Sequence, residues 1–102
     1  MKLTDLEPHW LSSSVFAFRC PHCQKTWLLC KNVAMGNKEQ RELAVAASLE
    51  PTGPRYGCVL MEAGCAWKWT TTDFATMSVT PSIDASKSGH WHGHITNGEC
   101  KP

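Results

Sequence analysis

The clearest place for chemistry in the chain is Cys20-Pro21-His22-Cys23. A CPxC turn brings two thiolates to the same side, and zinc takes such sulfurs at ~2.3 Å in a tetrahedral set of four. One pair is half a site. Cys58 and Cys65 are expected to complete it, although their spacing is wider than that of a zinc knuckle; Cys30, His22, His90 and Cys100 are further candidates. Two other uses of these thiols compete with this reading. Cys20 and Cys23 could form a redox pair, and Cys30, Cys58 and Cys100 could be small buried apolar side chains.

A second constellation is His90, His92 and His94. Alternate residues of a strand share a face, so three imidazoles would project together. They could hold a catalytic metal, or supply one base with two bystanders; the plainer reading is a solvated polar strand face. The third is Thr80-Pro81-Ser82-Ile83. Pro81 is expected to end a strand and leave Ser82 at a rigid corner, which suits a nucleophile if a histidine lies in reach. By composition alone, Ser82 reads as a turn or capping serine.

The elements that must position these groups follow from periodicity. Residues 1–14 read as a polar, partly extended lead with Trp10 as an anchor. Val15–Arg19 and Thr26–Cys30 read as two strands joined by the thiol-bearing turn. Asn37 followed by Gln40 resembles a capping box at the head of a helix, with Leu43, Ala46, Ala47 and Leu49 as its apolar stripe. Pro51 should stop that helix, and Pro51–Pro54 makes a turn-rich link. Beyond it, Cys58–Met61, Ala66–Thr70, Phe74–Thr80 and His90–Thr96 have strand character, with Trp67 and Trp69 on one face. Asn97-Gly98 is the strongest hairpin signal, though Glu99–Lys101 is short for a return strand. The sum is an α+β domain: a small antiparallel sheet, one helix and a thiol-tipped hairpin.

Composition narrows the function classes. The chain has 102 residues, room for one domain, 1–102, and a formal charge of +1. Nearly balanced charge argues against a broad nucleic-acid face. No run approaches the ~18 apolar residues of a membrane span. The acidic start, Met1–Glu7, lacks the apolar core of a secretory signal, so a reducing cytoplasm is expected, where clustered cysteines hold metal more often than they form disulfides. Six cysteines and five tryptophans suit a metal-supported small core, or rings lining a groove for an extended ligand.

Met1–Leu6, Phe18–Cys23, Asp73–Met77, Thr80–Ile83 and Trp91-His92-Gly93 with Ile95–Gly98 together resemble a bacterial and phage family of unknown function, whose members are often labelled ammonia monooxygenases. The likeness runs in order over nearly the whole chain. Relatives that stand beside bacterial ubiquitin-like conjugation genes are treated as peptidases. The resemblance therefore implies a hydrolase with Ser82 as nucleophile and His92 as base, a zinc site using Cys20 and Cys23, and residence in bacterial or host cytoplasm. Two departures stand out. His94 replaces an aromatic residue, and Gly89 or His90 stands where others carry a cysteine, which makes His90 a candidate replacement ligand. No motif supports the oxygenase label.

Three readings follow. The first is a zinc-stabilised serine-type peptidase acting on a protein or peptide, of which a ubiquitin-like protein is one candidate, with Asp73 or Asp84 as third member. The second is a non-catalytic zinc-hairpin module that binds a protein. The third is a metallohydrolase using His90, His92 and His94.

Overall fold

A computed structural model describes residues 1–49 and 57–102. The Pro51–Pro54 link lies outside the described residues. Leu3–Leu6 forms one turn of 3-10 helix that buries Leu3 and Leu6. Then come β1 (His9–Ser12), β2 (Val15–Arg19), β3 (Trp27–Lys31) and α1 (Asn37–Ala46). The second half holds β4 (Cys58–Val59), β5 (Lys68–Trp69), β6 (Val79–Asp84), β7 (His92–Thr96) and β8 (Glu99–Lys101). The class is α+β as expected, but the strands form two four-stranded sheets, ordered β1-β2-β3-β4 and β5-β6-β7-β8. Among the described residues all pairings are antiparallel except β3 with β4.

The first sheet is covered on both faces. Phe16, Phe18, Leu28 and Cys30 turn to a core shared with Val79, Ile83, Ile95 and Trp91 of the second half. Ala17 and Trp27 turn the other way, to Ala44 and Leu49 from the helix and its exit. A strand covered on both faces reads as a continuous apolar run, as Val15–Phe18 does. The lead expected over residues 1–14 is shared between the sheets: His9–Ser12 is β1 of the first, and the first residues are tied to the second. Leu3 donates its amide to the Gly98 carbonyl (2.8 Å), and Cys100 donates to Met1 (2.8 Å).

Several boundaries shift for identifiable reasons. Gly36, not Asn37, is the helix N-cap, and Asn37 makes no capping bond. Gln40 is fully buried. Its Nε2 donates to the carbonyls of Met35 and Met61, each at 2.9 Å, and its Oε1 accepts the Met61 amide at 2.9 Å. It therefore pins the segment after β4 rather than closing a capping box. The helix ends at Ala46, well before Pro51, through a left-handed Ser48 (φ 57). Pro81 does not end a strand. It lies inside β6, within the Val79–Ile83 stretch where the register with β7 shifts. A bulge tolerates a residue with no amide hydrogen to give. At Asn97-Gly98 both residues have positive φ, 48 and 76, the type I′ pattern, and the short return strand β8 does form.

Candidate metal centre

Cys20 and Cys23 lie in the connection between β2 and β3, whose first rung pairs Arg19 with Trp27. The loop is folded by its own backbone: Cys20 donates its amide to Thr26 (2.7 Å), and Gln24, in the left-handed region at φ 59, donates to Cys20 (2.7 Å). The Thr26 amide donates to Cys23 Sγ at 3.4 Å. Burial disfavours a charge on Cys23, but hydrogen bonds from the backbone and side chain of Thr26, the backbone of Lys25 and the Cys20 thiol outweigh it. The Cys23 pKa falls to about 6, so the thiol is a thiolate at neutral pH.

The third group comes from the other sheet. β6 ends at Asp84, one 3-10 turn (Ser86–Ser88) follows, and Gly89 turns the chain at φ 77. His90 donates its amide to Ala85 (3.1 Å), and Ala85 donates to Trp91 (3.0 Å). This closed turn leaves His90 outside β7, with its ring on the thiol loop. His90 Nδ1 is 3.7 Å from Cys23 Sγ. The ligand atoms of Cys20, Cys23 and His90 all lie within 4.8 Å of one another. A tetrahedral zinc with Zn–S ~2.3 Å and Zn–N ~2.0–2.1 Å sets sulfur and nitrogen about 3.6 Å apart. The spacing and the donor types, two sulfurs and an imidazole, both fit a soft divalent ion.

No known protein family, curated protein or solved structure matches the chain.

The remaining site expectations divide. Cys58 and Cys65 stand outside the group, and His90 is the third residue in it. Cys58 sits in β4 opposite Trp27 and packs toward the helix-side core. Cys65 sits after β4, its thiol 3.9 Å from Glu62 Oε2. The row of three histidines is broken because β7 begins only at His92. His92 and His94 share the exposed face of β7, opposite Asp84 and Lys101 respectively. The three histidines are therefore not brought together: His90 lies with Cys20 and Cys23, apart from His92 and His94. Ser82 lies within β6, not at a corner, and its carbonyl accepts the Trp67 Nε1–H at 3.1 Å. Among the described residues no hydrogen bond joins its hydroxyl to a histidine. Asp73 caps its own turn by accepting the Ala75 amide (2.9 Å). Asp84 accepts the Ser86 amide (2.9 Å).

Sequence reasoning placed His90 among several ligand candidates, and the family resemblance marked it as a replacement for a cysteine. A second signal was Gly89, a residue suited to a turn directly before the strand pattern.

Proposed function

We propose that the chain is a zinc-stabilised protein-interaction module in which one zinc on Cys20, Cys23 and His90 ties the two sheets together. The observation that carries this reading is the convergence of three ligand atoms from opposite halves of the chain within 4.8 Å. A bound zinc supplies a charge that two thiolates and an imidazole need as neighbour, and its binding energy becomes folding energy. The protein's own part is to hold the ligands: the Thr26 amide orients Cys23, and the closed turn at Ala85–Trp91 orients His90. Protein purified without added zinc should carry about one zinc per chain by elemental analysis. A metal-free, well-folded chain would overturn the proposal.

A second reading, the serine-type peptidase, is favoured by one observation: Ser82 and Asp84 line a cavity of about 260 Å³ together with Trp67. In that reading Ser82 Oγ attacks a peptide carbonyl while His92 takes its proton and returns it to the leaving group. The substrate would be a protein or peptide, a ubiquitin-like protein being one candidate. It ranks second because, among the described residues, no hydrogen bond joins the Ser82 hydroxyl to a histidine, and the group of Ser82 that is engaged is its carbonyl. A serine-directed phosphonate that labels Ser82 in the wild type and fails on His92→Ala would reverse the order.

A further inference from the structure

A cavity of about 260 Å³ opens between the segment after β4 and the strand β6. Met61, Trp67 and Pro81 give it apolar walls, and Glu62, Asp84 and Lys87 bring charge to it. We propose that this cavity receives the cationic side chain of a partner protein, a lysine or arginine, with its stem along Trp67 and its charge on Glu62 and Asp84. The inference rests on the interaction-module reading and names the partner's chemistry.

Three observations support it. The lining carries two carboxylates against one ammonium, so an incoming cation meets complementary charge. That one ammonium already shows what the site prefers: Lys87 Nζ sits 3.1 Å from Glu62 Oε1. The pair is highly exposed, at 87% and 71% of the side chains, and exposed pairs are weak. A ligand that also buries its aliphatic stem can displace Lys87. The third observation is the wall itself. Trp67 is buried, and its Nε1–H is fixed on the Ser82 carbonyl at 3.1 Å. A fixed indole suits both a cation and a methylene stem. Lys31, whose Nζ is 5.6 Å from the centroid of the same ring, is not among the residues lining the cavity. That ammonium donates to the carbonyls of Glu62 and Cys65, so it props the wall rather than competing for the mouth.

The cavity is linked to the metal centre through one turn, because Asp84 and Lys87 belong to the segment that ends at His90. The test uses the zinc-loaded protein and blocked pentapeptides of alanine with a central lysine, arginine or norleucine. The Trp67 indole N–H resonance is followed by NMR, with zinc content measured on the same sample. The lysine or arginine peptide should shift it saturably, and the tighter of the two identifies the side chain. Norleucine should bind at least about ten-fold more weakly, as should lysine to the Glu62→Gln/Asp84→Asn variant, since each loses a charge-assisted contact. Lys87→Gln should tighten lysine binding. Equal binding of norleucine, or no shift with any peptide at millimolar concentration, overturns the proposal. Lysine binding in a protein that carries no zinc would refute the metal reading and leave the cavity's role standing.

Discussion

Cys23 and Cys30 show how far one fold can separate two thiols of the same intrinsic acidity. Cys23 is partly buried, yet its hydrogen-bond donors bring the pKa to about 6. Burial pushes the Cys30 thiol well above its ordinary value, and burial also raises Cys100, to about 12. In metal-free protein, iodoacetamide should therefore modify Cys23 with a midpoint near pH 6, while Cys30 and Cys100 stay unmodified at pH 8. Added zinc should suppress the reaction at Cys23. Peptide mapping by mass spectrometry reads all three sites, and uniform reactivity across them would contradict the assignment. His90→Ala should release the metal, His90→Cys should keep it, and His92→Ala should leave metal content unchanged. Loss of the metal in His92→Ala would mean that the wrong histidine has been chosen. Cys20 and Cys23 were legible in the sequence because their spacing alone closes a turn. His90 was not separable from His92 and His94 by a period of two. The deciding feature is the reversal at Gly89 and the amide bonds around Ala85, which fix where β7 begins.

Elements were legible where a single face was at stake, and less so where a tertiary contact took a residue over. The presence of α1, the strands on either side of the thiols and the Asn97-Gly98 turn all follow from local pattern. Gln40 does not, because its three bonds run to Met35 and Met61 and not to its own helix end. Gln40→Leu strands two carbonyls and an amide, which should cost at least about 2 kcal/mol in urea unfolding. A change under half of that would show that water or a neighbour replaces the amide. Gly93 marks a second tertiary demand. A Cβ there would stand 2.0 Å from the Lys101 carbonyl oxygen and 2.6 Å from the Trp91 ring. Gly93→Ala should force β7 from β8 or displace Trp91, at a cost of about 1–3 kcal/mol or more, with the indole N–H of Trp91 shifted in the NMR spectrum. An unperturbed variant of wild-type stability would refute that packing.

Two sheets with one shared core need registration, and an ion held by Cys20, Cys23 and His90 would supply it at one edge. Cys23 and His90 are 67 residues apart, so a zinc between them closes a long loop of the unfolded chain. Closing such a loop removes entropy from the unfolded state. Mass action gives the size of the effect: free zinc at a hundred times its Kd stabilises by about 2.7 kcal/mol. For a domain near 100 residues, each kcal/mol moves Tm by about 4–8 °C, so chelation should lower Tm by about 10–20 °C. The pH dependence has a definite sign. An unfolded cysteine titrates near ~8.5, whereas Cys23 in the fold titrates at about 6. A folded pKa below the unfolded one gives stability that is full above about 8.5, shrinks as pH falls, and is gone below about 6. Zinc must displace the same protons to bind, so its increment in Tm should fall in the same direction. Thermal melts with and without zinc from pH 8 to pH 5 measure that increment directly. It should be large at pH 8 and vanish by pH 5, and an increment that stays flat over the range would rule out Cys23 as a ligand.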